Sequence, residues 1–454
     1  MTTAPTTAPT AEADAETPPV SDDPQVGGPL SPRRFWTWLI GIVVAGLAFR
    51  VVYVLLYTRH EKAKLYDAFW YQATGDELRN GQFFRIPFHT GPSAAHPPLT
   101  SFLVGSVNFL TGVHRGTTIP MLTEAVLGAL VVLFVGILGR DVAGPVVGVF
   151  AALLAAVAPD FWIPSGIIMS ETPAMLVMAL VLLAVVRYLR KPGPMRAALI
   201  GVACAAEALV RAELILWVPA LLVPAVLTAR SLPLRRRLEQ LGIGVLATAL
   251  VLAPWVGRNL ATFTDRTYIS TGNGLALLGA NCPATYYGPE LGSWALQCAV
   301  SEPATGDESV QSARDSHAAR QYAEHHVSRL PVVVLARIGR EFGFYQMAQE
   351  SYIESGEGRP VDASDAGLAV WYVMLALGTA GVVIFRRRRV RQWFLLVPGG
   401  VLVVVGAVVY GLIRFRAPFE VPLAVLAAAP LAVGAERLGR RGRNAGRSPS
   451  AVDG

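Results

Sequence analysis

Charge is what this sequence has least of. Only 16% of its 454 residues are Asp, Glu, Lys or Arg, against about 25% in a soluble globular chain, and 53% are hydrophobic. That deficit excludes an ordinary water-soluble domain. Cysteine is nearly absent as well, with three residues in all, which excludes a scaffold built on disulfides. The first 30 residues hold no apolar run and are rich in Thr, Ala, Pro and Asp. A disordered tail is expected there, and a cleavable signal peptide is not. No internal repeat of the kind that marks inverted-repeat transporters is visible. The net charge of +7 would suit nucleic acid, but none is expected as a partner, because the basic residues cluster at the ends of apolar runs, where membrane topology puts them.

What the chain does have is a long series of those runs. A hydrocarbon core about 30 Å thick needs roughly 20 residues of apolar helix. On that criterion the expected fold is an all-α polytopic membrane protein with about ten transmembrane helices, over 35–57, 118–138, 144–162, 167–188, 196–210, 212–229, 239–256, 367–385, 393–412 and 417–436. With a cytoplasmic N-terminus, the clusters at Arg33 and Arg34, Arg190 and Lys191, Arg235 to Arg237, Arg386 to Arg389 and Arg437 to Arg441 share one side. Deleting the short fifth span would break that positive-inside agreement. Its Glu207 and Arg211 stand four apart and can share a helix face. The expected divisions are a tail at 1–30, a transmembrane core at 31–256 containing an exterior loop at 58–117, an exterior region at 257–366, C-terminal spans at 367–436, and a basic cytoplasmic tail at 437–454.

Polar chemistry is therefore confined to a few stretches, the first of them Leu65 to Asn108. Asp67, Tyr71, Gly75, Leu78 and Gly81 keep to one helical face, while Asp76 and Glu77 are expected to face solvent. An acid just outside the bilayer can be a general base or a metal ligand; the helix dipole alone would also favour it. In AHPPL, two prolines prescribe an extended entry and then a helix start. His96 stands at that entry, where an anion could be met. Ser170, Glu171, Thr172 and Pro173 open a later span, with Ser170 as N-cap and Glu171 an acid at the same membrane depth as Asp67. Arg211, Arg258, Arg266, Arg414 and Arg416 are basic residues on the exterior, against the charge trend. Guanidinium groups suit phosphate, and snorkelling is the plainer account, above all for Arg266. Cys282 and Cys298, on the oxidising side, are expected to form a disulfide, within a loop whose aromatics and amides would suit sugar faces or ordinary turns. Cys204 is expected to pack in a helix. Arg314 to Glu350 reads as helix lying on the membrane surface, with a stripe of Val327, Leu330, Val334 and Ile338 interrupted by Pro331.

Taken in order, D-x-x-x-Y with L-x-x-G (Asp67, Tyr71, Leu78, Gly81), HPPL, SETP, VRAELILWVPALL and RFRAPFEVPLAVLAA resemble the GT-C superfamily of membrane glycosyltransferases, close to the family 39 type of protein O-mannosyltransferases and aminoarabinose transferases. The resemblance runs from about 35 to 436, excluding much of 257–366. It implies that Asp67 and Glu171 are catalytic or metal-linked acids. It also implies that His96, Arg211, Arg414 and Arg416 lie near the donor phosphate, and Arg258 is expected to join them as a basic residue on the same side. A divalent metal, held by Asp67 and Glu171 if at all, is left open. One departure is that Asp67 is followed by Ala68, where many relatives carry a second acid. The implied activity is sugar transfer from a polyprenyl-phosphate donor to a protein, lipid or glycan acceptor at the exterior face of the cell membrane. A transporter or lipid flippase, and a scaffold subunit, are the other classes that about ten spans would fit.

Overall fold

The computed structural model describes residues 25–59, 67–82, 84, 85, 91–112, 116–301 and 306–445. The expected N-terminal tail up to residue 24 and the last nine residues of the basic tail lie outside them. The described chain is helical, with only an isolated bridge between Arg85 and Pro92. In order come α1 (Pro32–Tyr53), α2 (Asp67–Arg79), α3 (Pro98–Thr111), α4 (Thr118–Ala143), α5 (Pro145–Val157), α6 (Glu171–Arg190), α7 (Pro194–Val210) and α8 (Ala212–Leu227, a run of mixed helical turns). There follow α9 (Leu234–Thr262), α10 (Asn273–Ala280), α11 (Glu308–His325), α12 (Leu330–Glu341), α13 (Met347–Gly356), α14 (Val361–Arg387), α15 (Trp393–Val408) and α16 (Ala417–Ala445). Proline opens α1, α3, α5 and α7, where its missing N–H costs nothing because first-turn donors have no intrahelical partner.

Every expected span coincides with a helical stretch. Six helices are long and apolar enough to cross a membrane, and the bent pair of α5 with Pro159–Gly166 is a seventh if taken as one span. The other three expected spans fall on the shorter α7, α8 and α15. The chain is a multi-pass membrane protein. α6 and α16 form its centre, with 72% and 78% of their apolar windows buried. The corresponding windows of α1, α9 and α14 are only 22–28% buried. Their outer faces carry large exposed side chains such as Trp38, Val44, Leu246, Leu250 and Val373, a continuous apolar surface that only lipid can cover.

Two sequence expectations change here. Residues 25–30 are part of the fold and not of a free tail: Val26 is fully buried and donates its N–H to the Ala143 carbonyl at 2.8 Å. Pro331 does not interrupt a helix but stands in the first turn of α12. The buried face of α12 is accordingly Val333, Ala336, Arg337 and Arg340, with Val327 and Leu335 left exposed.

The 73° break after α5 has a clear cause. The Ala155 carbonyl would normally accept from residue 159, which is proline and has no N–H. Arg50, fully buried, supplies the missing donor to Ala155 at 3.1 Å and to Phe161 at 3.2 Å.

Glycine sets the closest helix approaches, as expected where lipid tails offer no hydrophobic drive for helix association. A Cβ on Gly201 of α7 would lie 2.0 Å from the Gly244 carbonyl oxygen of α9, and one on Gly105 of α3 would lie 2.6 Å from the Gly75 oxygen of α2. Gly105→Val should therefore lower stability by about 1–3 kcal/mol, the usual cost of overpacking. Gly41→Val, on the open face of α1 with nothing within 4 Å, should leave it unchanged. Thermal unfolding of the two variants in detergent checks the contrast.

Candidate active site

The site is assembled by α2, the HPPL entry to α3, α13 and a tight turn near the C-terminus. The Gly75–Gly105 crossing draws α2 and α3 together. Asp67, at the first turn of α2, thereby meets the residue just ahead of α3. His96 Nε2 lies 3.6 Å from Asp67 Oδ1, and the Tyr71 ring packs on the imidazole with centroids 4.8 Å apart. The expected stripe ends at Leu78, since Gly81 lies beyond the helix in a left-handed turn with φ +75°. Asp76 does not face free solvent: it is half-buried and accepts from the Asn108 amide at 2.9 Å.

Arg414 and Arg416 sit in the 3₁₀ turn Ile413–Arg416. At three residues per turn, side chains two apart point in well-separated directions. Arg414 donates from Nη1 to Asp67 Oδ2 at 3.0 Å. Arg416 points into the core, donating to Asp160 at 2.8 Å and Glu420 at 3.1 Å beneath the Trp371 ring. Phe415, between them, has Arg211 over its ring at 4.3 Å and Arg414 at 5.5 Å. Arg211 itself donates to Glu213 at 2.9 Å. It caps α7 in extended backbone, so the expected helical pair with Glu207 does not form, and both Glu207 oxygens are buried without a hydrogen bond.

α13 completes the cluster. Glu357 Oε1 is 3.3 Å from Arg414 Nη2, and Glu354 Oε1 is 3.9 Å from Arg414 Nε. Arg359 stands 3.7 Å from the other Glu354 oxygen. Glu171, at the first turn of α6 and 2% exposed, has one oxygen without a hydrogen-bond partner. It lines a narrow cleft with Glu354, Glu357, Arg359, Pro164, Ile167 and Met169. Ser170 is the N-cap residue there, but its hydroxyl makes no capping bond.

Thus Asp67, His96 and Arg414 are in direct contact, and Glu171 and Arg211 border the same cluster. Arg416 and Arg258 are spent elsewhere. Arg258 donates to the Ser93 carbonyl at 2.9 Å, the Phe84 carbonyl at 3.3 Å and Asn259 at 2.9 Å, among the rings of Phe84, Trp255 and Phe263. It ties the segment between α2 and α3 to α9. Glu354, Glu357 and Arg359 were not anticipated from sequence. The available signal was acids at spacings of four and three (Glu350, Glu354, Glu357) just ahead of a span, in a chain otherwise poor in charge.

Electrostatics set the protonation states. Asp67 is deep among protein atoms, yet a third of its side chain remains accessible, as befits a group lining a recess. Burial pushes its carboxyl up, but Arg414, His96 and Arg211 together outweigh that and hold it below the usual carboxylate range. Burial lowers the His96 pKa more than Asp67 raises it. His96 is neutral at pH 7 and contributes a hydrogen-bonding ring, not a cation. Burial pushes Glu354 and Glu357 up, against the pull of Arg359 and Arg414.

Among the described residues no group of three His, Cys, Asp or Glu is arranged to hold a divalent metal, and the Asp67 oxygens face Arg414 and His96. Between α9 and α14, Cys282 and Cys298 are joined, with S–S 2.06 Å. The aromatics there largely pack on one another, Tyr322 stacking on His326 at 4.1 Å and Tyr286 edge-on to Tyr322 at 5.1 Å. Cys204 is free and buried.

The described core is all-helical, with an acid–guanidinium cluster at the ends of its helices. Residues 95–256 match the family described as dolichyl-phosphate-mannose-protein mannosyltransferase. The oligosaccharyltransferase AglB from Archaeoglobus fulgidus, solved with an inhibitory peptide and a dolichol-phosphate, superposes with a TM-score of 0.53 at 16% identity, covering 92% of this chain and 53% of that one. The same archaeal enzyme in complex with Zn and sulfate gives 0.54 at 17%, covering 89% and 50%. ArnT from Cupriavidus metallidurans, bound to undecaprenyl phosphate, is more distant, with a TM-score of 0.40–0.42 at 16% identity over 90% of this chain and 79% of that one. The chain thus spans about half the length of the archaeal enzyme. No curated protein matches it in sequence. The family match covers residues 95–256 alone, and the structural likeness shows that the chain has a GT-C type membrane fold.

The contrast between the two neighbouring arginines is testable. Arg416→Met strands Asp160 and Glu420 as buried, unpaired acids, and removing one partner of such a pair costs about 3–5 kcal/mol. A large fall in melting temperature of the detergent-solubilised chain is expected, and an unchanged one would return Arg416 to the list of ligand-binding residues.

Proposed function

We propose that this chain is an integral membrane glycosyltransferase that moves a sugar from a polyprenyl-phosphate donor to an acceptor hydroxyl or amide at the exterior face, both termini being cytoplasmic. The observation that carries this reading is the Asp67–Arg414 contact at 3.0 Å: a base and a phosphate-binding cation, held together at the mouth of the membrane helices. The fold shared with an oligosaccharyltransferase solved with dolichol-phosphate supports it. So does the lipid-facing surface of α1 and α9, along which an apolar donor tail can lie.

In this reading the acceptor heteroatom attacks the anomeric carbon of the sugar as the bond from that carbon to the phosphate oxygen breaks. The electron pair leaves with the polyprenyl phosphate, and the acceptor proton goes to Asp67. Arg414 neutralises charge as it develops on the leaving phosphate, with Arg211 adding long-range positive potential from behind Phe415. A pre-positioned donor of this kind is worth about 3–4 kcal/mol to a transition state. Neutral His96 and Tyr71 hold the Asp67 carboxylate in orientation. Glu171 is a second acid in the adjoining cleft, suited to accepting hydroxyl donors from the sugar.

Asp67→Asn should abolish transfer in membranes supplied with lipid-linked sugar while leaving membrane insertion intact; wild-type-like turnover would sink the assignment. The pH dependence follows from the sign of the shift. With the Asp67 pKa held below its ordinary value of about 3.9, the base form is complete at neutral pH and is lost only in strong acid. The acid limb of kcat should therefore stay flat through pH 5, and an inflection near 6–7 that vanishes in another carboxylate variant would move the base to that residue.

A further inference from the structure

Arg414 is 7% exposed and surrounded by acids, but its two edges are used differently. Nη1 makes a true hydrogen bond to Asp67 at 3.0 Å. The opposite edge, Nε with Nη2, is the one a guanidinium uses for two parallel bonds to a phosphate or carboxylate. Here it faces two separate carboxylates at 3.9 Å and 3.3 Å, and the buried Nε has no hydrogen-bond partner. On the other side of the contact, both Glu354 oxygens and Glu357 Oε2 also lack one. The two acids face Arg414 without satisfying it. A buried donor left in that state is destabilising, and an anion that fits the fork satisfies it.

Given the glycosyltransferase reading above, on which this rests, we propose that Glu357 is a place-holder for the donor phosphate: it occupies the Nε–Nη2 edge of Arg414 in the free protein and is displaced when the phosphate forms its two bonds there. Glu357 is suited to leave. It caps the C-terminus of α13, a ten-residue helix entered through Gln346 at φ +54° and followed by Gly358 at φ +99°. The segment is therefore bounded by two left-handed residues, and Gly358 adopts that conformation without strain. Asp67 keeps its own bond to Nη1 throughout, so displacement need not disturb the base. Glu357 is a positioning residue in this scheme and takes no proton from the acceptor.

The test is binding of farnesyl phosphate, with farnesol as the phosphate-free control, to the purified full chain in nanodiscs, comparing wild type with Glu357→Gln, Glu357→Ser and Arg414→Met. Removing the carboxyl that occupies this edge should tighten farnesyl phosphate binding about tenfold in both Glu357 variants and leave farnesol binding unchanged, a split that a merely structural role would not produce. In turnover assays the same variants should lower donor KM more than they alter kcat. Arg414→Met should reduce farnesyl phosphate binding to the farnesol level. If Arg414→Met loses phosphate binding but the Glu357 variants bind as wild type or more weakly, the place-holder role is wrong and the phosphate site stands. If Arg414→Met still binds farnesyl phosphate as wild type does, the phosphate site itself is misassigned, and the place-holder falls with it. Melting temperatures of all four proteins separate lost binding from lost fold.

Discussion

The structure turns on a single buried guanidinium. Arg414 is almost entirely enclosed, and a charge in that position is tolerated only when paired. Its three acids come from two distant parts of the chain: Asp67 from the segment after α1, and Glu354 and Glu357 from the segment before α14. The C-terminal turn that carries it is in turn held by Arg416 on Asp160 and Glu420, which ties the site to the bend after α5 and to the central helix α16. Two polar segments and the membrane core are thus joined through one residue. Charge is scarce in this sequence, and a large share of what is buried is gathered at this junction.

The adjacent residues Arg414 and Arg416 make the division of labour concrete. They share a turn, a residue type and near-complete burial, yet Arg416 donates to both carboxylates facing it, at 2.8 and 3.1 Å, and leaves only Nη1 without a partner, whereas the Nε–Nη2 edge of Arg414 faces two carboxylates at 3.9 and 3.3 Å. A cation bonded to both of its acids is architecture; one that only faces them is open to exchange. The same distinction separates Arg258, whose donors are spent on loop carbonyls, from Arg414. Guanidinium position on the correct side of the membrane selects candidates, and hydrogen-bond geometry ranks them.

Much of this was legible in the sequence. The helical spans follow from run length and hydropathy, and the placement of arginines retains even the short α7. Helical phase put Asp67, Tyr71, Gly75 and Leu78 on one face, and the contacts with His96 and Gly105 are made from that face. Periodicity gave no access to contacts across hundreds of residues. Arg414 and Asp67 are 347 positions apart, and only the resemblance in motif order put them in one site. Glu354 and Glu357 were overlooked because a loop acid is unremarkable until a buried cation is found opposite it. The solvent-facing reading of Asp76 failed for the same reason: a helix wheel assigns a side, but Asn108 on α3 decides what lies there.

The missing second acid in the first loop now has a physical counterpart. Ala68 follows Asp67 and is buried, so α2 brings one carboxylate to the site, not two. The other negative charges arrive from α13 and α6 and the balancing positive charge from the C-terminal turn. With Arg414 already seated between those carboxylates, the position a divalent cation would take between acids is filled by a guanidinium. A fixed cation cannot dissociate or change its coordination number, so its control must come from what its acids do. That places the adjustable part of the site on α13, the shortest of the contributing helices and one lying outside the membrane-crossing spans.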